Sequence, residues 1–170
     1  IDLSEYPFVP KPLSEKVIIM HAPTSRANKG TEFIISAIDR LKEEGFSIEF
    51  DLCENLSHTE LMKHYKDCDI FVDQVLGGYG TAAIEAMAIG RPTISYLRDV
   101  HFKKEIFNGE IPIIRAHKDN IYSVLKSLLE NKDEVPRIGL SSRRFVEKNH
   151  DLNVLSERLI KYYKELHNLH

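Results

Sequence analysis

Short apolar runs alternate with stretches of helical period along this chain. Val17–His21 is rich in β-branched residues and stops before Pro23, which predicts a strand. Ile34, Ala37, Ile38 and Leu41 then recur at helical spacing, predicting a helix over Gly30–Glu44 that Gly45 closes. Ser47–Cys53 alternates like a half-buried strand. Ser57-His58-Thr59-Glu60 has the form of a capping box, and the helix it opens buries Leu61, Met62 and Tyr65. Asp69–Val75 predicts a third strand, apolar enough at Ile70, Phe71 and Val72 to be covered on both faces. Gly77-Gly78-Tyr79-Gly80 leads into a helix over Thr81–Ile89, stopped by Gly90 and Pro92. Thr93–Leu97 and Ile111–Arg115 read as further strands, joined by a less regular segment through Phe107. Beyond Asp119 two helical stripes follow, Ile121, Val124, Leu125 and Leu128, then Leu152, Leu155, Leu159, Tyr162 and Leu166. Tyr162, Tyr163 and their leucine neighbours are read as packing residues.

Strands alternating with helices at this spacing make βαβ units. The expected fold class is therefore α/β, a Rossmann-like three-layer domain with a parallel sheet of about five strands and helices on both faces. In such sheets ligands sit beyond the carboxyl ends of the strands, where strand order reverses. That directs attention to the loops after the first and third strands.

The first of these loops, His21 to Gly30, places Arg26, Lys29 and two hydroxyls just before a helix, a suitable setting for a diphosphate. Alone it could equally be a solvated basic loop. The second adds Gly78 and Gly80, which allow close backbone approach, and Gly80-Thr81, which presents amides at a helix start. One turn on, Glu85 sits among Ala82, Ala83, Ala86 and Ala88, where a carboxylate can accept hydrogen bonds from vicinal ribose hydroxyls. Phosphate chemistry beside ribose chemistry points to a nucleotide. His21 reads either as a diphosphate contact or as a hydrogen-bonded structural histidine, and His58 as exposed.

Composition narrows the class. With 42% hydrophobic and 29% charged residues in 170, the chain is globular and the size of one domain. Its 23 Lys+Arg against 26 Asp+Glu give a net charge of -3, without the overall basic footprint of a nucleic-acid partner. No apolar run approaches the roughly 18 residues that span a bilayer. Two cysteines without metal-ligand spacing, Cys53 and Cys68, suggest a reducing cytoplasm. The opening, punctuated from Pro7 to Pro12, reads as a linker over residues 1–16 from an amino-terminal domain, with the nucleotide-binding domain over 17–170.

Lys29-Gly30-Thr31 and the stretch from Gly78-Tyr79-Gly80-Thr81 through Glu85-Ala86-Met87-Ala88 to Gly90-Arg91-Pro92 resemble the nucleotide-sugar-binding, carboxyl-terminal half of GT-B glycosyltransferases. The nearest group is the retaining one with a Glu-x7-Glu signature. The resemblance implies a donor site. In it Lys29 contacts the diphosphate, with Arg26 in a plausible supporting role; Gly78, Tyr79, Gly80 and Thr81 wrap phosphate and sugar, and Glu85 holds the ribose. Asn55 and Ser57 would border the base. It also implies transfer from a UDP- or GDP-sugar to a glycan or lipid-linked acceptor in bacterial polysaccharide synthesis, with no cofactor and no essential metal. The acceptor site would lie mostly in the amino-terminal domain, so this chain alone would bind nucleotide and transfer little. The parent enzyme would be cytoplasmic, with peripheral association at the inner face of the membrane through its other half.

Several departures from the family pattern matter. Gly77 stands where the first signature Glu contacts the sugar, Asp73 being the candidate substitute, and one βα unit is missing before the Asp69 strand. Two other readings stay open. Gly78-Tyr79-Gly80-Thr81-Ala82-Ala83 fits the G-x-G-x-x-A pattern of an NAD-dependent oxidoreductase, with Asp99 as ribose carboxylate, although it follows the third strand. A non-catalytic nucleotide-binding module is the other, motivated by Gly77. Asp67-Cys68-Asp69 has the spacing of a metal-binding acidic pair but straddles a helix end and a strand start. A phospho-receiver with Asp73 as acceptor would need an acidic pair where Met20-His21 stands.

Overall fold

The computed structural model of the protein describes residues 1–98 and 110–167. Five parallel strands form one sheet: β1 (Val17–His21), β2 (Ile48–Leu52), β3 (Ile70–Gln74), β4 (Thr93–Ser95) and β5 (Ile114–Arg115). Their spatial order is β2-β1-β3-β4-β5. The chain therefore builds outward from β1 to β2, returns across β1, and continues on its other side through β3. Order reverses between β1 and β3, where Ile19 lies beside Ile70 and His21 beside Val72. The loops leaving these two strands face each other across the switch point.

Alternation sorts the strand residues between two cores. On one side Val17, Ile19, Ile70, Val72 and Ile94 pack beneath α2 (Thr31–Glu43) and α5 (Ile121–Glu130), whose buried positions include Ile34, Ile38, Leu41 and Leu125. On the other, Met20 and Phe71 pack beneath α3 (His58–Asp67), α4 (Thr81–Ile89) and α6 (Val135–Asn149), through Tyr65, Met87 and Phe145. The central strand β3 is buried on both faces from Ile70 to Asp73, as its apolar run predicts. The small side chains of α4 let it lie deep: Ala83, Ala86, Met87, Ala88 and Ile89 are all buried. Gly139 of α6 permits the matching close approach from above, since a Cβ there would stand 2.3 Å from the Gly90 carbonyl oxygen.

The predicted strand and helix cores occur in place, with shorter ends at β4 and β5. Residues 1–16, read as a linker, pack on the domain. Tyr6 is only 5% exposed, and the Val9 amide donates to the Ile89 carbonyl at 3.0 Å. Arg143 secures this segment, donating to the Tyr6 and Ala88 carbonyls at 2.6 and 2.8 Å. The helical tract beyond Asp119 is three helices, α5, α6 and α7 (Leu152–His167); Pro136 stands in the first turn of α6, where its missing N–H costs nothing. None of α7 is buried, and Tyr162 and Tyr163 lie exposed on it instead of packing, because no element of the described residues covers that face. Asp99 and the irregular segment through Phe107 lie outside the described residues. No helix among the described residues is long and apolar enough to cross a membrane.

Candidate functional site

The loop after β1 contains a short helical turn, α1 (Arg26–Lys29), capped by the Ser25 hydroxyl and ended by Gly30. Gly30 takes the left-handed conformation, φ 76°, and a Cβ there would lie 2.5 Å from Val75 Cγ2. Only glycine lets the first loop approach the exit of β3 this closely. The Val75 amide then donates to the Lys29 carbonyl at 3.0 Å.

Side chains complete the join. Lys29 Nζ donates to Asp73 Oδ1 at 2.5 Å, with the carboxylate fully buried and the ammonium 14% exposed. The other oxygen, Asp73 Oδ2, accepts from the Gly80 amide at 3.1 Å and the Ser95 hydroxyl at 3.5 Å. One carboxylate thus holds the cation of the first loop against the glycine turn of the second. An ammonium has three donors, so the bond to Asp73 leaves two for a ligand. Gly80 caps α4 without a side chain, which leaves first-turn amides at the same place.

His21 closes the floor. Its Nδ1 lies 2.8 Å from the Val72 carbonyl oxygen and its Nε2 2.8 Å from Thr31 Oγ1. A carbonyl only accepts, so Nδ1 carries the proton and Nε2 accepts from the threonine. Burial pushes the His21 pKa down, keeping the ring neutral. Both nitrogens being engaged, His21 is the structural histidine and not a diphosphate contact.

Glu85 is buried, with its side chain 12% exposed. Its Oε1 accepts from the Tyr6 hydroxyl at 3.0 Å and lies 3.2 Å from His58 Nε2, while Oε2 accepts from the Tyr65 hydroxyl at 3.4 Å. Burial, and then the Glu85 charge beside them, push both tyrosine pKa values up, so each remains a donor. Tyr65 is set in turn by Arg91, a fully buried side chain whose guanidinium donates to the Tyr65 and Lys66 carbonyls at 2.8 and 3.0 Å. A carboxylate held by donors on three sides is pre-formed to accept hydroxyls.

Comparison with known proteins gives two outcomes. No family model and no curated protein sequence matches the chain. Solved structures do. The carboxyl-terminal domain of a group 1 family glycosyltransferase, LpcC from Francisella tularensis, matches with a TM-score of 0.68 at 15% identity, over 89% of this chain and 99% of that one. HepE from Anabaena, solved with UDP-glucose, matches with a TM-score of 0.69 at 12% identity, over 97% of this chain and 56% of that one. TarM matches with a TM-score of 0.65 at 16% identity, over 91% of this chain. The chain has the fold of a GT-B carboxyl-terminal half. It spans 36% of the length of TarM and 56% of that of HepE.

Within this GT-B half, Lys29, Asp73 and Gly80 come together, with Thr81 opening α4 and Glu85 one turn further in. Arg26 stands apart at the rim. Glu54 holds it through two bonds of 2.9 and 2.6 Å, and Glu32 through one of 3.3 Å. Tyr79 turns its ring edge-on to His150, 6.2 Å between centroids, and burial raises its pKa to about 12. Asn55 adopts φ 57° in the tight turn before α3. The Ser57 hydroxyl and amide are both committed to the capping box with Glu60, and its carbonyl accepts from the Leu61 amide. A Cβ at Gly77 would lie 3.0 Å from Gln74 Oε1, the end of a flexible side chain that can move aside. The acidic pair is divided: Asp69 accepts from the Ile18 amide, Ser14 and Lys11, which leaves no ligand pair with Asp67.

Sequence reasoning missed Tyr6, His58 and Tyr65 as partners of Glu85, and Arg91 behind them. The one available signal was Glu85 itself, a carboxylate in a small-residue helix that needs donors.

Proposed function

We propose that this chain is the donor-binding half of a glycosyltransferase that moves a sugar from a nucleoside-diphosphate sugar to a glycan or lipid-linked acceptor. The observation that carries the reading is the Lys29–Asp73–Gly80 constellation at the β1/β3 switch point, with Glu85 one turn along the adjoining helix. The solved relatives lend support: HepE was captured with UDP-glucose, and TarM with UDP.

In this reading the two remaining Lys29 donors and the first-turn amides of α4 meet the diphosphate. They stabilise the charge that builds on it as the glycosidic bond breaks. Glu85 accepts the ribose hydroxyls and so sets where the sugar carbon lies. The ribose replaces His58, whose side chain is 55% exposed and free to swing outward, while Tyr65 stays fixed by Arg91. Arg26 reaches the diphosphate only by leaving Glu54 and Glu32, so Lys29 carries the main electrostatic role. A second domain supplies the acceptor side, no metal takes part in the transfer, and the parent enzyme is a bacterial cytoplasmic one of polysaccharide synthesis.

Calorimetric titration with UDP, GDP and NAD, with and without magnesium, tests this. The expected result is binding of a nucleoside diphosphate without metal. Binding of NAD alone would favour an oxidoreductase, and silence from all three would refute a donor site in this chain.

A further inference from the structure

A second cluster lies away from the nucleotide cleft, on the outer edge of the sheet. Alternation along β2 turns Asp51 and the following Cys53 to the face that α3 covers, and Cys53 continues the ladder through its amide to the His21 carbonyl at 2.9 Å. His64, in the last turn of α3, reaches down to them. Its Nδ1 lies 2.7 Å from Asp51 Oδ2, and Cys53 Sγ lies 3.4 Å from Asp51 Oδ1. The three ligand atoms all fall within 4.8 Å of one another.

We propose that Asp51, Cys53 and His64 form a site for one zinc-class divalent cation, which fastens β2 to α3. A thiolate, an imidazole and a carboxylate are a zinc donor set, and the thiolate disfavours magnesium and calcium. Bond lengths of about 2.0–2.3 Å in a tetrahedron place ligand atoms roughly 3.3–3.7 Å apart. Cys53 Sγ already lies at such a distance from Asp51 Oδ1, while His64 faces the other oxygen, Oδ2, so the ion enters by opening the Asp51–His64 pair by about 1 Å and turning the carboxylate to offer one oxygen. On binding, the Cys53 thiol releases its proton to solvent and the imidazole ligates as the neutral ring. A cavity of about 520 Å³, lined by Asp51, His64, Glu49 and Asp67 and also by Lys11 and Lys66, opens beside the cluster, giving the ion an entry path and a water for its fourth position. Asp51 and His64 are partly exposed toward it, whereas Cys53 is buried. The site lies at the root of the turn carrying Glu54, the partner of Arg26, so a bound ion would stiffen that rim without touching the nucleotide.

The test is titration of chelator-stripped protein with Zn²⁺ against a chromophoric chelator, with Co²⁺ as a spectroscopic probe. One Zn²⁺ per chain and a thiolate-to-cobalt charge-transfer band are expected. Cys53→Ser should abolish the band, and Cys53→Ser and Asp51→Asn should each weaken Zn²⁺ at least about tenfold. His117→Ala, at an exposed histidine, should change neither. Metal-free thermal melts confirm that each variant is folded. Absence of Zn²⁺ uptake, or uptake and a band that survive Cys53→Ser, would overturn the site and mark any bound zinc as an adventitious ion.

Discussion

Lys29 Nζ donates to Asp73 Oδ1 at 2.5 Å, and this bond ties the loop after β1 to the end of β3 across the switch point. Because Asp73 is fully buried, the pair is asymmetric. Lys29→Met leaves a buried carboxylate with only the Gly80 amide and the Ser95 hydroxyl, at an expected cost of about 3–5 kcal/mol. Asp73→Asn should cost less, since the partly exposed ammonium can turn to water. Urea midpoints of the two variants check the order.

Gly30 and Gly80 should respond oppositely to a methyl group. Gly30→Ala meets both a left-handed backbone and a Val75 contact at 2.5 Å, so a loss of more than about 2 kcal/mol is expected. At Gly80 nothing lies within 4 Å of the added Cβ, and the change should stay within about 1 kcal/mol. Thermal melts of both variants measure the contrast.

Arg91 braces Glu85 from behind, through Tyr65. Its fork spans two carbonyls at the end of α3, which Lys, with a single ammonium, cannot match. Arg91→Ala should cost roughly 3 kcal/mol and Arg91→Lys less. Denaturant unfolding checks both, and a variant as stable as the parent would show that the fork is dispensable.

Acid should destabilise the chain through buried His21 and half-buried His150. Burial lowers the pKa of His21, and pushes that of His150 down to about 4, against about 6.5 in an unfolded chain. The unfolded chain then binds more protons, so their contribution is complete above about pH 6.5 and is lost as pH falls toward the folded value, near 4 for His150. Each histidine contributes a slope of up to about 1.4 kcal/mol per pH unit. The urea midpoint should fall between pH 7 and 5, and His150→Leu should flatten that fall.

The regular part of the fold was legible because β1 and β3 carry uninterrupted apolar runs and α2 and α5 carry clear helical stripes. That Lys29 and Gly80 would meet was legible because the loops after β1 and β3 leave neighbouring strands at the switch point. The surroundings of Glu85 were not. Tyr6 meets it from 79 residues away and His58 from 27, and such contacts leave no period in a sequence. The docking of residues 1–16 was hidden for the same reason: a proline-punctuated segment has no repeat, and only the finished α4–α6 surface decides whether it is bound. The Arg26–Glu54 pairing was not legible, because it depends on how β2 sits beside β1.

The central claim is that Glu85 grips the ribose of a nucleoside diphosphate. Its most direct test is the UDP affinity of Glu85→Ala beside the parent chain, measured by calorimetry without metal. Loss of a charge-assisted acceptor should weaken binding by about 1.5–3 kcal/mol, roughly 10- to 150-fold. Equal affinity for UDP in the folded variant would contradict the account.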